Sequence, residues 1–239
     1  MAFRAHYVNI EGAARGRGTA VVLDVLRAYT TAAWAFQLGA QRLILTDDLD
    51  EALKLKGLLP GSLAMKDARP MPGFELSNSP VELRSHDLRG LTIIQRTTHG
   101  TVGAVAAYRA GVQSLFCASF PNARATAEAI RRSGADETYF VITGEGGAAD
   151  EDQACAEYIA ALVDDPTADA APFVARVPVS KTGKLISGRI EEGRPGIQKG
   201  DIESAMEANR FDFVMMARQE EIDGFGPVLV LRAYNRSDD

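Results

Sequence analysis

The sequence predicts an α/β protein with a largely parallel sheet that carries helices on both faces. Short apolar runs rich in Val, Ile and Leu alternate with segments of helical length and polarity along most of the chain. The 239 residues are enough for one large domain, and no repeat with a solenoid period occurs. With 46% hydrophobic and 24% charged residues, the composition is that of a folded globular protein.

The first half of the chain predicts three strands, of which the first two are each followed by a helix. In order, these elements are strand Thr19–Leu26, helix Tyr29–Leu38, strand Arg42–Thr46, helix Leu49–Leu58 and strand Ser62–Met65. Three prolines and a glycine between Arg69 and Pro80 then predict a shaped loop through which no regular element runs.

The second half continues the alternation and then loosens. The predicted strands are Leu91–Gln95, Ser114–Ala118 and Thr138–Thr143, and the helices are Val102–Tyr108, Ala123–Arg132 and Asp150–Leu162. Helical pieces follow at Ala170–Val177, Gly183–Glu192 and Asp201–Ala208, and two late strands at Phe213–Ala217 and Val228–Arg232. We interpret residues 1–239 as a single α/β domain; two closely packed halves with a boundary near 110–120 are the alternative.

Composition and charge exclude several classes of protein. No apolar run approaches the roughly 20 residues that cross a bilayer, and the N-terminus has no secretory apolar stretch, so we expect a cytoplasmic protein. Two cysteines and three histidines make neither a disulfide framework nor a Cys/His zinc site. A net charge of −6 without a long basic run argues against a nucleic-acid partner.

The first candidate site residues lie at the carboxyl end of the first predicted strand. Ligands of open α/β sheets bind at the carboxyl ends of strands, where Asp24 and Arg27 stand. A buried acid costs desolvation free energy unless it meets a cation or hydrogen-bond donors. Two interpretations stay open: Asp24 and Arg27 form an ion pair that fixes this corner, or Asp24 is a metal ligand beside a phosphate-clamping arginine.

The second candidate is the loop between strand Leu91–Gln95 and the following helix. Thr97, Thr98, Gly100 and Thr101 bring hydroxyls and a glycine to a helix N-terminus, which is the chemistry that cradles anions. Ordinary helix capping by threonine is the alternative. His99 is either a general acid or base near neutral pH or a plain hydrogen-bonding residue.

Two further loops carry polar side chains after predicted strands. Asn78 and Ser79 offer donors in the proline-rich loop, although turn formation alone explains such residues. The segment 143–152 has a formal dinucleotide-type glycine pattern, but three acids stand where a pyrophosphate would lie. Glu151 and Asp152 suit a hard cation with oxygen ligands, or alternatively place negative charge at a helix N-terminus.

Taken together, these segments resemble the 2-phosphosulfolactate phosphatase family from about Ala20 to Met215. The similar motifs, in chain order, are Leu23-Asp24-Val25-Leu26-Arg27-Ala28 with Thr30-Thr31, Gly73-Phe74-Glu75-Leu76-Ser77-Asn78-Ser79-Pro80, Thr97-Thr98-His99-Gly100-Thr101, Ala118-Ser119-Phe120-Pro121-Asn122-Ala123 and Glu151-Asp152. The resemblance implies a three-layer α/β sandwich with a largely parallel or mixed central sheet. It also implies magnesium-dependent hydrolysis of a phosphate monoester that carries a sulfonate and a carboxylate, giving sulfolactate on the route to coenzyme M.

Through this resemblance we assign roles to the candidate residues. Mg²⁺ is expected on Asp24 with Glu151 or Asp152, and Asp24 is alternatively the nucleophile. Arg27 would clamp phosphate, with His99 as the third catalytic residue. The expected substrate contacts are Thr30, Thr31, Lys66, Asn78, Ser79, Thr97, Thr98, Gly100, Thr101 and Asn122. The expected partners are a small anionic phosphoester and, as an open alternative to a monomer, a second copy of the chain.

The chain departs from the family pattern at three places that bear on the site. Met65 and Lys66 stand where the family usually has Glu and Arg, and His99 replaces the usual Asn. These changes predict a pocket of different charge and a preferred substrate other than 2-phosphosulfolactate. The alternative function is a catalytically silent relative that binds an anionic metabolite.

Overall fold

The computed structural model describes residues 3–15, 18–67 and 70–235. Their strands are β1 Arg4–Val8, β2 Thr19–Leu23, β3 Arg42–Thr46, β4 Leu63–Lys66, β5 Leu76–Ser77, β6 Thr92–Arg96, β7 Ser114–Ala118, β8 Glu137–Ile142, β9 Phe213–Ile222 and β10 Gly226–Asn235. Their α-helices are α1 Ala28–Gln37, α2 Leu49–Leu58, α3 Pro80–Leu83, α4 Gly100–Arg109, α5 Ala123–Ser133, α6 Asp150–Asp164, α7 Ala171–Val174, α8 Lys181–Glu191 and α9 Asp201–Met206. Short 3₁₀ turns span Glu11–Arg15, Phe120–Asn122 and Gly144–Gly146.

The strands of the described ranges form one mixed sheet in the order β1-β8-β2-β7-β9-β10-β3-β6-β4-β5. Strands β1, β8, β2 and β7 are parallel to one another, and so are β3, β6, β4 and β5. The antiparallel hairpin β9–β10 lies between these two parallel halves. The prediction of a largely parallel or mixed sheet is confirmed.

Helices cover both faces of the sheet because neighbouring strand residues point to opposite sides. In β2, Ala20 and Val22 pack in one apolar cluster with residues of α1 and α4, whereas Val21 and Leu23 pack in another with residues of α5 and α6. A third cluster joins α2 to β3, β6 and the hairpin. All five residues of β2 are buried, as expected for a parallel strand between two helix layers. The predicted three-layer α/β sandwich is therefore confirmed.

The two parallel halves run in opposite directions, because three antiparallel steps separate β7 from β3. Strand twist of roughly 20–25° per step accumulates over the five steps from β2 to β6. The carboxyl ends of the two halves meet at the candidate site, as the contacts around Asp201 and Gly100 show. Arg27, which follows β2, and Ser79, which follows β5, both donate hydrogen bonds to the carboxylate of Asp201.

The structure corrects several predicted elements. Strand β2 ends at Leu23, three residues earlier than predicted, because the chain turns there into the loop that carries Asp24 and Arg27. The expectation that no regular element runs through residues 69–80 is wrong: Leu76 and Ser77 pair with Met65 and Lys66 as the edge strand β5. Strand β1 and helix α3 were not predicted, and β9 and β10 each extend over ten residues.

Two further points concern domain organisation and membranes. Strand β2 pairs along its whole length with β7, which lies within the alternative boundary region near 110–120, and with β8, which lies beyond it. The number of domains stays a prediction.

Within the described ranges, no helix combines the length and apolar character needed to span a bilayer.

Candidate active site

Asp24 is the first residue after β2 and is almost fully buried, with 8% of its surface exposed. Its Oδ1 accepts a hydrogen bond of 3.0 Å from the backbone N–H of Ala28. Its Oδ2 lies against Gly100, so closely that a Cβ on that glycine would be 2.7 Å away. Burial raises the pKa of Asp24 to about 6, although the Ala28 N–H and the charge of His99 act to lower it.

Asp152, in the first turn of α6, ties the end of β8 to the end of β2. Its Oδ1 accepts from the N–H of Val25 at 2.7 Å, and its Oδ2 accepts from the N–H of Gly144 at 3.1 Å. Burial raises the pKa of Asp152 well above its usual range, and the charges of Asp24 and Glu151 raise it further. Each oxygen of Asp152 accepts one backbone hydrogen bond and keeps one lone pair, so Asp152 supports the loop that carries Asp24 and stays a predicted metal ligand.

Glu151 differs from Asp152 because, among the described residues, one of its oxygens has no partner. The residue is 2% exposed, and its Oε2 is buried without a hydrogen bond. A buried acceptor of this kind is costly unless a donor or a cation meets it. In the part of the chain that the structure describes, no group of three or more His, Cys, Asp or Glu side chains is arranged to hold a metal ion.

The donor set nevertheless fits Mg²⁺ in the manner usual for phosphoryl-transfer sites. Magnesium keeps several waters and is commonly held by one or two carboxylates together with substrate phosphate, so a cage of three protein ligands is not required. Asp24 offers Oδ2, which has no hydrogen-bond partner among the described residues, and Glu151 offers Oε2. The charge of Glu151 raises the pKa of both Asp24 and Asp152, which is the electrostatic setting that a divalent cation relieves.

Arg27 is buried, but its partner is Asp201 and not Asp24. Its Nη1 donates to Asp201 Oδ2 at 2.6 Å and to the carbonyl oxygen of Gly196 at 2.9 Å. The interpretation that Asp24 and Arg27 form the ion pair at this corner is therefore wrong. Asp24 instead accepts from the backbone of α1, while the guanidinium is directed toward the loop before α9. Nε and Nη2 of Arg27 have no hydrogen-bond partner within the described ranges.

The loop after β6 is held by its own threonines. Thr97 N–H donates to Thr101 Oγ1 at 2.9 Å, and Thr101 N–H donates to Thr97 Oγ1 at 3.0 Å. Thr97 Oγ1 thus satisfies an N–H in the first turn of α4, whereas the N-cap residue His99 makes no side-chain capping bond; both threonine side chains are buried. These bonds place Gly100 against Asp24, where the Tyr29 hydroxyl donates to the Gly100 carbonyl at 2.7 Å. The exposed His99 lies close enough to influence the pKa of Asp24.

Thr98 is an exposed residue of the same loop, and a backbone hydrogen bond fixes its position. Its N–H donates to Asp67 Oδ2 at 2.8 Å, and Asp67 also faces Arg96 at the end of β6. The charge of Asp67 raises the pKa of Asp24. Asp67 therefore ties the loop after β6 to the end of β4 within electrostatic reach of Asp24.

The threonines of α1 make no direct contact that identifies a ligand site. Thr30 Oγ1 donates to the carbonyl of Val25 at 2.8 Å, which is a local bond within the β2–α1 corner. Thr31 Oγ1 is buried without a partner in the described part of the chain. Asn122 Oδ1 accepts from the N–H of Ser119, so this buried amide caps a turn, and its contact with substrate stays a prediction.

The residues after β4 and β5 lie beside the Arg27 network. The N–H of Asn78 donates to the carbonyl of Lys66, and Asn78 Oδ1 is buried without a partner among the residues described. Ser79 caps α3 and donates to Asp201 Oδ1 at 2.6 Å. Lys66 donates to the carbonyl of Asp67 and lines a pocket whose wall includes Gly196.

Three residues of this region were missed by sequence reasoning. Asp201, Gly196 and Asp67 all contact predicted site residues. Asp201 is the first residue of a predicted helix, where the helix dipole alone favours an acidic residue. Nothing in the sequence around Asp201 therefore indicated that it contacts a site residue. Asp67 follows β4 directly, and the rule that ligands gather at strand ends could have found it.

Comparison with known proteins adds to this geometry. Residues 7–220 match the family model described as 2-phosphosulpholactate phosphatase. The chain belongs to this family. A probable 2-phosphosulfolactate phosphatase from Bacillus subtilis strain 168 is 30% identical over 204 residues, which are 84% of this chain and 87% of the relative. One from Prochlorococcus marinus strain MIT 9313 is 36% identical over 64% of each chain. One from Thermus thermophilus is 37% identical over 54% of each chain.

Membership of the 2-phosphosulfolactate phosphatase family makes the chain a phosphoric monoester hydrolase by class. The residues gathered around Asp24 suit such chemistry. Among the described residues, Asp24 and Glu151 each have a carboxylate oxygen without a hydrogen-bond partner, and Arg27, on the same loop as Asp24, has two nitrogens without one. The side chains of Thr97, Thr101 and Asn122 are instead engaged in internal hydrogen bonds.

Proposed function

We propose that this protein hydrolyses a small anionic phosphate monoester with the help of Mg²⁺. The relatives are named for 2-phosphosulfolactate, and either this compound or a related phosphoester is the proposed substrate, with sulfolactate and phosphate as products in the first case. The proposal rests on two sets of polar atoms that have no hydrogen-bond partner among the described residues. Asp24 Oδ2 and Glu151 Oε2 are acceptors that a cation could meet, and Nε and Nη2 of Arg27 are donors that an anion could meet.

The chain's own residues divide the work of binding and positioning. Arg27, held through Nη1, has two nitrogens, Nε and Nη2, left to donate to phosphoryl oxygens, and charge-assisted bonds of this kind are the strong ones. Asp24 and Glu151 would hold Mg²⁺, while Asp152 keeps the Asp24 loop in place through Val25 and Gly144. When bound, Mg²⁺ would neutralise phosphoryl charge and lower the pKa of a water molecule.

Hydrolysis breaks the bond between phosphorus and the ester oxygen and forms a bond from phosphorus to a water oxygen. The attacking water would lose one proton to solvent, and the departing alkoxide would take one proton from the imidazolium form of His99, the proposed general acid. Asp24 is the alternative nucleophile, in which case a phospho-aspartate forms first and water then cleaves it. Trapping with hydroxylamine separates the two routes, since only the phospho-aspartate is captured.

The test is phosphate release by the purified full-length chain from a panel of small phosphomonoesters that includes 2-phosphosulfolactate. We expect release with Mg²⁺, none in excess chelator, and none from Asp24→Asn with Mg²⁺. Glu220→Gln is the matched control, because it removes a carboxylate that is bonded to Arg232 on the hairpin and should keep turnover. Full activity in excess chelator contradicts the magnesium role.

The same assay separates the proposed enzyme from the silent binder. Phosphate binding without release from any ester, in the presence of Mg²⁺, would favour a relative that only binds an anionic metabolite. A cytoplasmic location, a role in coenzyme M biosynthesis and a homodimer remain predictions that need experiments of their own.

A further inference from the structure

Asp201 is a fully buried carboxylate that the proposed chemistry does not use. It has 0% exposure and stands at the start of α9. Its Oδ2 accepts from Arg27 Nη1 at 2.6 Å and from the N–H of Gln198 at 3.0 Å. Its Oδ1 accepts from Ser79 Oγ at 2.6 Å and from the N–H of Val81 at 3.4 Å. With two donors on each oxygen, Asp201 has no free lone pair for a substrate.

These contacts join three loops that are distant in sequence. Arg27 follows β2 in one parallel half of the sheet, Ser79 follows β5 in the other half, and Gln198 belongs to the loop before α9. Asp201 is therefore one of the points at which the two halves are linked beside the candidate site. The carbonyl of Gly196, in the same loop as Gln198, accepts a second bond from Arg27 Nη1.

The effect of this link on Arg27 follows from the shape of its side chain. A guanidinium is planar and presents its donors in a rigid fork, so two acceptors at Nη1 restrict the whole plane. Arg27 is only 7% exposed, yet Nε and Nη2 lack partners in the described part of the chain. A buried ion pair alone is weak support for stability, because desolvation offsets the attraction. An arrangement that anchors one nitrogen and leaves the other two unpaired is suited to present the N–H groups of those two nitrogens to an anion.

We propose that Asp201 is a positioning residue, which orients Arg27 so that its free donors bind the phosphoryl oxygens of the substrate. This inference rests on the proposed function, because it assigns to Arg27 the role of phosphate clamp. It adds a residue that lies 174 positions from Arg27 in the chain and that contacts no substrate itself.

The experiment is a double-mutant cycle read by the affinity for inorganic phosphate, a product of the proposed reaction. Calorimetric titration of the full-length chain would compare wild type, Asp201→Asn, Arg27→Ala and the double variant. We expect Asp201→Asn to weaken phosphate binding by about ten-fold or more in the wild-type background. In the Arg27→Ala background it should have no further effect, because the residue through which it acts is gone.

A merely structural Asp201 would give a different pattern. It would lower the melting temperature and weaken phosphate binding by the same factor in both backgrounds, which overturns the proposal. If Asp201→Asn does not fold, Asp201→Glu takes its place in the cycle, because it keeps the charge and moves the carboxylate by one methylene. Glu220→Gln, on the hairpin, is the control for loss of an arginine-bonded carboxylate and should leave phosphate affinity unchanged.

Failure of this proposal is distinguishable from failure of the proposed function. A wild-type chain that binds phosphate and shows the expected coupling, yet releases phosphate from no ester, keeps Asp201 as a positioning residue and refutes the enzyme. Turnover of esters with additive effects of the two substitutions refutes the role of Asp201 alone. A wild-type chain that does not bind inorganic phosphate also overturns the role of Asp201.

Discussion

Asp24 and Gly100 are packed so closely that the glycine has no room for a side chain. A Cβ on Gly100 would lie 2.7 Å from Asp24 Oδ2 and 2.6 Å from the Cβ of Ala28. The two residues come from opposite halves of the sheet, since Asp24 follows β2 and Gly100 begins α4 after β6. The absence of a side chain at position 100 is therefore what allows the two candidate loops to meet.

Gly100→Ala should reduce turnover strongly and destabilise the protein. The added methyl group would push against Asp24 and Ala28, and overpacking of this kind costs about 1–3 kcal/mol in unfolding free energy. A shift of Asp24 by about 1 Å is enough to lower the rate of a catalysed reaction by roughly 100-fold. Urea unfolding and steady-state phosphate release would measure the two effects.

Gly188→Ala is the matched control for that substitution. Gly188 lies inside α8, and nothing among the described residues is within 4 Å of a Cβ built there. Alanine should stabilise the helix by about 0.5–1 kcal/mol and leave turnover unchanged. Equal losses in both variants would contradict a specific role for the Asp24–Gly100 contact.

Asp24→Asn should stabilise the metal-free protein more at pH 7.5 than at pH 5. Burial raises the pKa of Asp24 to about 6 from its ordinary value of 3.8, so the folded state holds a proton that the unfolded state releases. Its contribution to stability is present below pH 4 and is lost as pH rises through 6. The gain from the substitution should grow by roughly 1–2 kcal/mol between the two pH values, measured by urea unfolding in chelator.

Glu220→Gln provides the opposite electrostatic case. A hydrogen bond from Arg232 lowers the pKa of Glu220, so the stability it contributes is lost only as pH falls below the ordinary range of a glutamate. The effect of this substitution should not change between pH 5 and 7.5. An effect of Asp24→Asn that is equally independent of pH would contradict the raised pKa of Asp24.

Arg27→Lys should weaken inhibition by inorganic phosphate by about 10–100-fold. A lysine has a single nitrogen, so it cannot both remain bonded to Asp201 and present a two-pronged donor to phosphate. The fold should persist, because a cation still faces the buried carboxylate. Arg232→Lys on the hairpin is the control, and an equal loss of phosphate inhibition there would show that the effect is not specific to the site.

His99→Asn should flatten the pH dependence of KM. His99 is exposed and its charge acts on Asp24, so the cationic form of this side chain would add positive charge near the bound anion, which asparagine cannot do. We expect KM of the wild type to be lower at pH 6 than at pH 8, and KM of the variant to change little. Measuring kcat/KM across the phosphoester panel at both values also tests the prediction that the preferred substrate is not 2-phosphosulfolactate. Identical profiles for wild type and variant would contradict the role of His99.

The sequence alone determined much of the local structure. Strands β3 and β7 and helix α2 have the predicted bounds. The pattern of apolar and polar residues that predicts a strand or a helix is contained in the few residues of that element, so it can be found in the sequence without knowledge of the fold. The positions of Asp24 and of the Thr97–Thr101 loop at strand ends were predictable for the same reason. The family could also be identified, since its motifs are short segments in chain order.

Only the tertiary structure decided which of these residues meet. Arg27 pairs with Asp201 and not with the nearby Asp24, and the two parallel halves of the sheet run in opposite directions around the β9–β10 hairpin. Local periodicity shows which face of an element is buried, but it contains no information about which distant element covers that face. Those pairings depend on strand order, twist and the filling of shared space between layers, and these arise only when the whole chain packs.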